Sequence, residues 1–215
     1  MQRGGQDGWL AKVMSWAYLV LAYLLGTVPF ALLVTRCVVG TDVREVGSGN
    51  VGAANAWRAS RPLIGVLVLG LDVAKGSIAV LLVLSLTENE YLATMAAAIS
   101  VSGHMFPLWL GFRGGKGVAT ACGAFAVLEP LAVLAALMIF VGVVYVSRYV
   151  SLGSIVAVAI FPGFVLLSGE STGTSVVAVI TAVFIVGKHY SNFQRLLAGQ
   201  EPSVTLRTPR RRQRV

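Results

Sequence analysis

Residues 62–86 read PLIGVLVLGLDVAKGSIAVLLVLSL, an apolar run that contains one aspartate and one lysine. A bilayer core of about 30 Å takes about 20 apolar residues per helix, so this run is long enough to cross it. An ionisable side chain inside a membrane costs about 2.5–3.5 kcal/mol on insertion scales. Asp72 and Lys75, three residues apart, must therefore pair or face a polar cavity, and we interpret them as an ion pair that orders a site.

The whole composition agrees with a membrane protein. Of 215 residues, 56% are hydrophobic and 12% are charged, and the mean hydropathy is +0.80. Soluble domains hold roughly 45–50% apolar and about 25% charged residues. The net charge of +8 lies in short loops and the tail, which favours a role in membrane orientation over nucleic-acid binding. We expect one membrane domain and no separate soluble domain.

Charge-poor runs between polar clusters predict an all-α, polytopic membrane protein with seven transmembrane helices, some of them short or half-helices. The segments are 10–34, 62–86, 91–110, 118–128, 131–146, 152–168 and 174–187. Segment 118–128 is too short to cross at about 1.5 Å per residue, so it is a half-helix or begins inside the preceding loop. If it pairs with the next segment as a re-entrant unit, five full spans remain. Both counts are odd and place the termini on opposite sides.

Charge orients the helices, because loops rich in Lys and Arg stay in the cytoplasm. One set of connections holds the basic residues Arg36, Arg44, Arg58, Arg61, Arg113, Lys116, Arg148, Lys188 and Arg195. The opposite set holds Glu88, Glu90, Glu129 and Glu170 and no Lys or Arg; Arg3 and Lys12 are the contrary charges. We therefore expect the N-terminus outside and the C-terminus in the cytoplasm. Residues 1–201 form the predicted membrane domain, and 202–215 form a basic tail that we expect to be disordered near anionic headgroups.

The first cytoplasmic connection, residues 47–58, reads GSGNVGAANAWR. Glycines let successive backbone amides turn toward one anion, and a following helical turn would aim its N-terminal dipole there. Arg58 adds a guanidinium that can clamp a phosphate with two hydrogen bonds. The loop predicts a phosphate site, with these candidate ligands: Gly47, Ser48, Gly49, Asn50, Gly52, Asn55 and Arg58. A flexible glycine turn beside a membrane-flanking arginine is the alternative.

The second connection, residues 112–118, reads FRGGKGV and places Gly114, Gly115 and Gly117 around Lys116 just before a helix. The Walker A spacing is absent and a hydrophobic helix, not a strand, precedes the loop, so a nucleotide-hydrolysing P-loop is excluded. A glycine loop with one lysine is weak evidence by itself. Beside the first loop on the same membrane face, it predicts a second phosphate site.

The third polar element, residues 189–201, reads HYSNFQRLLAGQE. Helical spacing would put His189, Asn192 and Arg195 on one face, which could hydrogen-bond a polyhydroxyl phosphate. An interfacial amphipathic helix is the alternative for this element alone. His104, close to a helix end, is interpreted as a structural histidine.

Taken together, the loop at 47–58, the DVAKG element at 72–76, GHMFP at 103–107 with the second glycine loop, and residues 189–201 resemble the bacterial acyl-phosphate:glycerol-3-phosphate acyltransferase family. The resemblance runs in order through nearly the whole chain. Two positions depart from it: Ala54 stands where the family usually has threonine, and Tyr190 where it often has arginine. The first removes a hydroxyl donor and the second a cation.

The resemblance implies a seven-helix enzyme of the bacterial inner membrane that moves an acyl chain from acyl phosphate to the sn-1 hydroxyl of glycerol 3-phosphate. The products are lysophosphatidic acid and phosphate. It implies that Ser48, Arg58, Lys116, His189 and Asn192 form the catalytic site, supported by Asp72, Lys75, Arg195 and Glu201. Neither substrate phosphate is assigned to one loop. The hydroxyl proton passes to a substrate phosphate oxygen, the favoured route, or to His189.

This chemistry needs no cofactor and no metal, because a mixed anhydride with a phosphate leaving group needs positioning and charge stabilisation. Cys37 and Cys122 lack metal-binding spacing and are expected to be small buried hydrophobes. The expected partners are the two substrates and membrane lipids, without nucleic acid or an obligate protein. A phosphate or organic-phosphate transporter and a non-catalytic relative that binds lipid phosphate are the alternatives.

Overall fold

The computed structural model describes residues 3–169 and 171–204, which form helices and loops. The helices are α1 (Arg3–Thr27), α2 (Phe30–Val39), α3 (Ala53–Ala59), α4 (Pro62–Thr87), α5 (Glu90–Met105), α6 (Val118–Leu128), α7 (Pro130–Ser147), α8 (Val150–Leu167), α9 (Thr172–Lys188) and α10 (Tyr190–Leu197). A 3₁₀ turn covers Leu108–Leu110. The all-α prediction is confirmed for this part of the chain. Glu170 and the tail arginines from 207 onward lie outside the described residues.

Several of these helices are long and apolar enough to cross a membrane. Within the described ranges there are five such spans: Val13–Val39, Pro62–Thr87, Glu90–Leu110, Pro130–Ser147 and Val150–Leu167. A sixth results if α9 and α10, bent by 52° relative to each other, are taken as one span. Helix α6 has the short bounds that the sequence predicted. The polytopic membrane fold is thus confirmed, while seven crossings stay a prediction.

The first predicted segment, 10–34, differs from the structure because it is not one helix. Helix α1 ends at Thr27 and α2 begins at Phe30. Pro29 has no backbone N–H and its ring disfavours a helical residue before it, so the helix ladder stops there. The carbonyl of Val28 instead accepts a hydrogen bond from Lys75 Nζ at 2.9 Å. A side chain of α4 therefore satisfies a backbone group that the break in the first segment exposes.

Small residues bring α4 and α6 into close contact. A side chain on Gly76 would meet the carbonyl of Thr120, and one on Gly123 would meet the carbonyl of Val73. Ser77 also donates to the Gly123 carbonyl at 2.9 Å. Membrane helices associate through such small residues because lipid gives no hydrophobic drive for their contact. The crossing fixes α6, and with it the glycine loop that immediately precedes α6.

Large apolar side chains cover the outer surface, as a lipid-facing surface requires. Examples are Trp16, Leu63, Val146 and Leu167, each at least 70% exposed. Alanines and valines dominate the interior, where they allow close packing. Cys37 is exposed, so its predicted burial was wrong: it lies in the last turn of α2, near the exposed residues 38–40. Cys122 is half-buried on α6.

Candidate active site

The first glycine loop folds around the buried side chain of Asn55. Its amide nitrogen donates to the carbonyls of Val43 at 2.8 Å and Val46 at 3.0 Å, and its Oδ1 accepts from the Ser48 backbone amide at 3.0 Å. Gly47 has a φ of 62°, and a side chain there would meet Asn55 Oδ1. These contacts leave Ser48 at the loop surface. Asn55 thus holds the loop in place, and direct phosphate binding by Asn55 stays a prediction.

Helix α3 is the helical turn that the sequence predicted after this loop. It begins after Gly52, which is its N-cap, and Arg58 lies exposed in its last turn. Asn50 Oδ1 is buried and has no hydrogen-bond partner among the described residues. Ala54, where the family resemblance expects threonine, is exposed on α3. The missing hydroxyl therefore leaves no unfilled space in the interior.

The second glycine loop folds back onto the end of α5. The amides of Gly114 and Gly115 donate to the carbonyls of Met105 and His104, both at 3.1 Å. A side chain on Gly115 would collide with the His104 imidazole. The next glycine, Gly117, caps α6 with a φ of 88°. These close approaches leave Lys116 half-buried at the start of α6.

The surroundings of Lys116 connect the three sequence motifs. Burial lowers the pKa of Lys116 to about 8; the carboxylate of Glu201 opposes this shift, and the charges of Arg195 and Arg58 add to it. Arg58 belongs to the first motif, and Arg195 and Glu201 belong to the third. The structure thus brings cations of all three motifs close enough to repel one another. Such a cluster favours the binding of an anion.

Glu201 joins the other polar residues of the third motif by hydrogen bonds. Its buried carboxylate accepts from Asn192 Nδ2 at 2.7 Å and from Arg195 Nε at 2.8 Å. Asn192 Oδ1 is buried and lacks a hydrogen-bond partner within the described part of the chain. It is therefore a hydrogen-bond acceptor that no described group of the protein uses.

His189 precedes α10, which begins at Tyr190 instead of at His189. Its buried ring places Nδ1 2.8 Å from the carbonyl of Ile185. A carbonyl can only accept, so the neutral ring carries its proton on Nδ1 and presents the lone pair of Nε2. A hydrogen bond of this kind fixes the ring and keeps Nε2 available as a proton acceptor.

Sequence reasoning missed Ser151, in the first turn of α8. Burial acts to raise the pKa of Glu201, but the hydrogen bonds from Asn192 and Arg195, together with the nearby hydroxyl of Ser151, outweigh it and lower that pKa overall. The Val204 amide also donates to the Arg148 carbonyl at 2.8 Å, just before α8. The predicted cytoplasmic position of the α7–α8 connection was the one available signal for Ser151, because no motif marks it.

Beneath the second glycine loop lies a buried charged cluster. Lys75 Nζ is 2.8 Å from Asp72 Oδ1, and His104 Nδ1 is 3.6 Å from the same oxygen. His104 in turn packs against Gly115. Lys75 also holds the Val28 carbonyl. The predicted ion pair is present, and it joins α4, α5 and the link between α1 and α2 to the loop that carries Lys116.

Comparisons with known proteins identify the family of this chain. The sequence model described as "Glycerol-3-phosphate acyltransferase" matches residues 16–199. A protein of that name from Desulforamulus reducens is 44% identical over 181 residues, covering 84% of this chain and 90% of the relative. One from Bartonella quintana is 35% identical and covers 91% and 94%.

Two solved structures are also similar. Both are of PlsY (YgiH), described as an integral membrane glycerol 3-phosphate acyltransferase. The glycerol 3-phosphate form has a TM-score of 0.85 at 36% identity, and the lysophosphatidic acid form has 0.82 at 34%. Each match covers 89% of this chain and 96% of the other. The chain belongs to the glycerol-3-phosphate acyltransferase family.

Proposed function

We propose that this protein transfers a fatty acyl chain from acyl phosphate to the sn-1 hydroxyl of glycerol 3-phosphate, with lysophosphatidic acid and phosphate as products. The observation that carries this proposal is that the charges of Arg58 and Arg195 act on Lys116, and that the charge of Lys116 acts on the buried His189. Two phosphorylated substrates need several cations at one place. The names of the relatives support glycerol 3-phosphate as acceptor.

An apolar cavity next to this cluster supports the choice of an acyl donor. It lies between α6, α7, α8 and α9, and Val118 and Ile185 are among its lining residues. Val118 is two residues from Lys116, and the Ile185 carbonyl contacts His189. An acyl chain in the cavity would therefore keep its phosphate end beside the cations. Burial of methylene groups away from water favours this orientation.

The transfer needs one bond to form and one to break. The glycerol hydroxyl oxygen attacks the acyl carbonyl carbon, and the carbon–oxygen bond to phosphate breaks as the ester forms. Arg58, Lys116 and the loop amides hold the phosphates and stabilise the developing negative charge. Asn192 Oδ1 and Ser48 orient the acceptor. The proton goes to a substrate phosphate oxygen, the favoured route, or to His189 Nε2.

The proposed topology follows the charges of the loops. Seven crossings, counting α1 with α2 as one and α6 as a short one, put the N-terminus outside and the C-terminus in the cytoplasm. The site then lies on the cytoplasmic face of a bacterial inner membrane. The water-soluble glycerol 3-phosphate would reach it from the cytoplasm. Residues 202–215 form the cytoplasmic tail in this scheme. The partners are the substrates and membrane lipids, and no protein partner is needed for the chemistry.

The test is an assay of the purified protein in detergent with acyl phosphate and labelled glycerol 3-phosphate. We expect labelled lysophosphatidic acid and one phosphate released per ester formed. Omission of the acyl phosphate is the control. Absence of product, together with phosphate flux in liposomes, would show a transporter; binding without product or flux would show a non-catalytic relative.

The pKa of Lys116 predicts the alkaline limit of activity. The cation binds phosphate only while it is protonated, so kcat/KM should be constant below about pH 8 and fall about tenfold per pH unit above it. Lys116→Arg should abolish this fall, because a guanidinium stays charged. The measurement is kcat/KM from pH 6.5 to 10, with acyl-phosphate decay without enzyme subtracted. A wild-type profile that stays flat to pH 10 would contradict the role of this ammonium group.

A further inference from the structure

The apolar cavity extends along the four helices that line it. It has a volume of about 80 Å³, and each of its four helices contributes lining residues seven positions apart. Seven residues are two helical turns, so the two members of a pair share a face and lie about 10 Å apart. The end near Lys116 is lined by Val118, Phe140, Ser154 and Ile185. The other end is lined by Phe125, Val133, Phe161 and Ala178.

Small side chains create the space between these two ends. The residues that line the middle of the cavity include an alanine from each helix: Ala121, Ala136, Ala157 and Ala182. In a tightly packed core a void of this size would cost stability, since its lining atoms lose contacts. Four alanines at one level therefore indicate a space for a ligand that is apolar along its whole length.

Two aromatic rings lie at the far end. Phe125 and Phe161 contact each other edge to face, with ring centroids 5.1 Å apart and an angle of 64° between the planes. Phe125 is 1% exposed and belongs to the hydrophobic core. Phe161 is partly buried and packs against that core. Edge-to-face pairs gain energy from their geometry, so the rings resist displacement by an entering chain.

We propose that the Phe125–Phe161 pair sets the length of the acyl chain that the enzyme prefers. This inference rests on the proposed function, because it needs an acyl donor in the cavity. Each methylene that enters an apolar site improves binding about fourfold. A methylene that reaches the Phe125–Phe161 pair gains no binding energy unless a ring moves or the chain bends. Affinity should rise with chain length until the end of the chain reaches the two rings. For longer chains it should stop rising or fall.

The test compares acyl phosphates from eight to eighteen carbons with the wild type and with Phe161→Ala. Phe161 is the better target because Phe125 is fully buried and its truncation endangers folding. We expect the preferred length in Phe161→Ala to increase by two to four carbons. The ratio of kcat/KM for the new optimum to that for the wild-type optimum should rise about tenfold.

A second variant should move the preference in the opposite direction. Ala157 lies one turn above Phe161 on the same helix face, about 6 Å nearer the polar site. Ala157→Leu should shorten the preferred chain while it retains activity on the shortest donors. Phe184→Ala is the matched control, because this α9 phenylalanine is 53% exposed and does not line the cavity. Its length profile should equal that of the wild type.

The possible results distinguish a failure of this inference from a failure of the proposed function. No product from the wild type with any donor would refute the proposed function. Wild-type product with the same length profile in both cavity variants would overturn the inference alone. That result would mean that the chain leaves sideways past Leu137, the 42% exposed lining residue on the lipid side. Opposite shifts of the preferred chain length in the two variants would support the role of the Phe125–Phe161 pair.

Discussion

Lys116→Ala is expected to lower kcat/KM by about 10²–10³-fold while the protein still folds. Removal of one preorganised group that stabilises transition-state charge costs about this much in other enzymes. Lys116 is half-buried in the loop just before α6, where an alanine creates no large cavity. Its ammonium is the cation of the second motif on which the charges of the first and third motifs act. The measurement is kcat/KM for both substrates. The thermal midpoint of the variant is measured as well and should equal that of the wild type.

Arg113→Ala provides the matched control for this variant. Arg113 lies on the same loop and also carries a positive charge, but it is exposed. Its removal should change kcat/KM less than threefold, since exposed charges act weakly through water. Lys116→Arg should recover part of the activity, because charge returns with a different shape. Near wild-type activity of Lys116→Ala would remove Lys116 from the site.

The long apolar helices could be predicted because their cause is local. Residues 62–86 were predicted and α4 is Pro62–Thr87; segment 118–128 matches α6. In both cases Gly, Pro or polar residues mark the ends, and the length of the apolar run decides the element. The break at Pro29 was not predicted. It is tolerated because Lys75, 47 residues away, satisfies the Val28 carbonyl, and no local pattern shows such a contact.

The residues of the candidate site were predictable as motifs, but their arrangement was not. Asn55 belongs to a glycine motif, yet its amide binds the loop itself. Glu201 lies beyond α10 and reaches back to Asn192 and Arg195 only because the chain turns at Gly199, whose φ is 66°. Sequence gives the order of such residues along the chain. The contacts depend on turns and packing that only three dimensions show.

The second large effect is expected for Asp72→Ala, which should destabilise the protein by about 3–5 kcal/mol. Asp72 and Lys75 are 2% and 4% exposed, and removal of one member leaves a buried charge without its counter-ion. Lys75 would keep its contact with the Val28 carbonyl, which cannot neutralise an ammonium. We expect the thermal midpoint in detergent to fall by about 10 °C. Ser85→Ala, at an exposed position of the same helix, should leave the midpoint unchanged.

The double variant Asp72→Leu with Lys75→Met separates stability from positioning. Replacement of a buried ion pair by apolar side chains of similar volume is often neutral or stabilising, so the midpoint should return close to the wild-type value. Activity should stay low, because Val28 loses its donor and His104, which packs on Gly115, loses its carboxylate neighbour. A stable double variant with full kcat/KM would show that the pair does not position the Lys116 loop. A stable but slow one would show that a charged cluster inside the membrane is retained because it holds that loop in place.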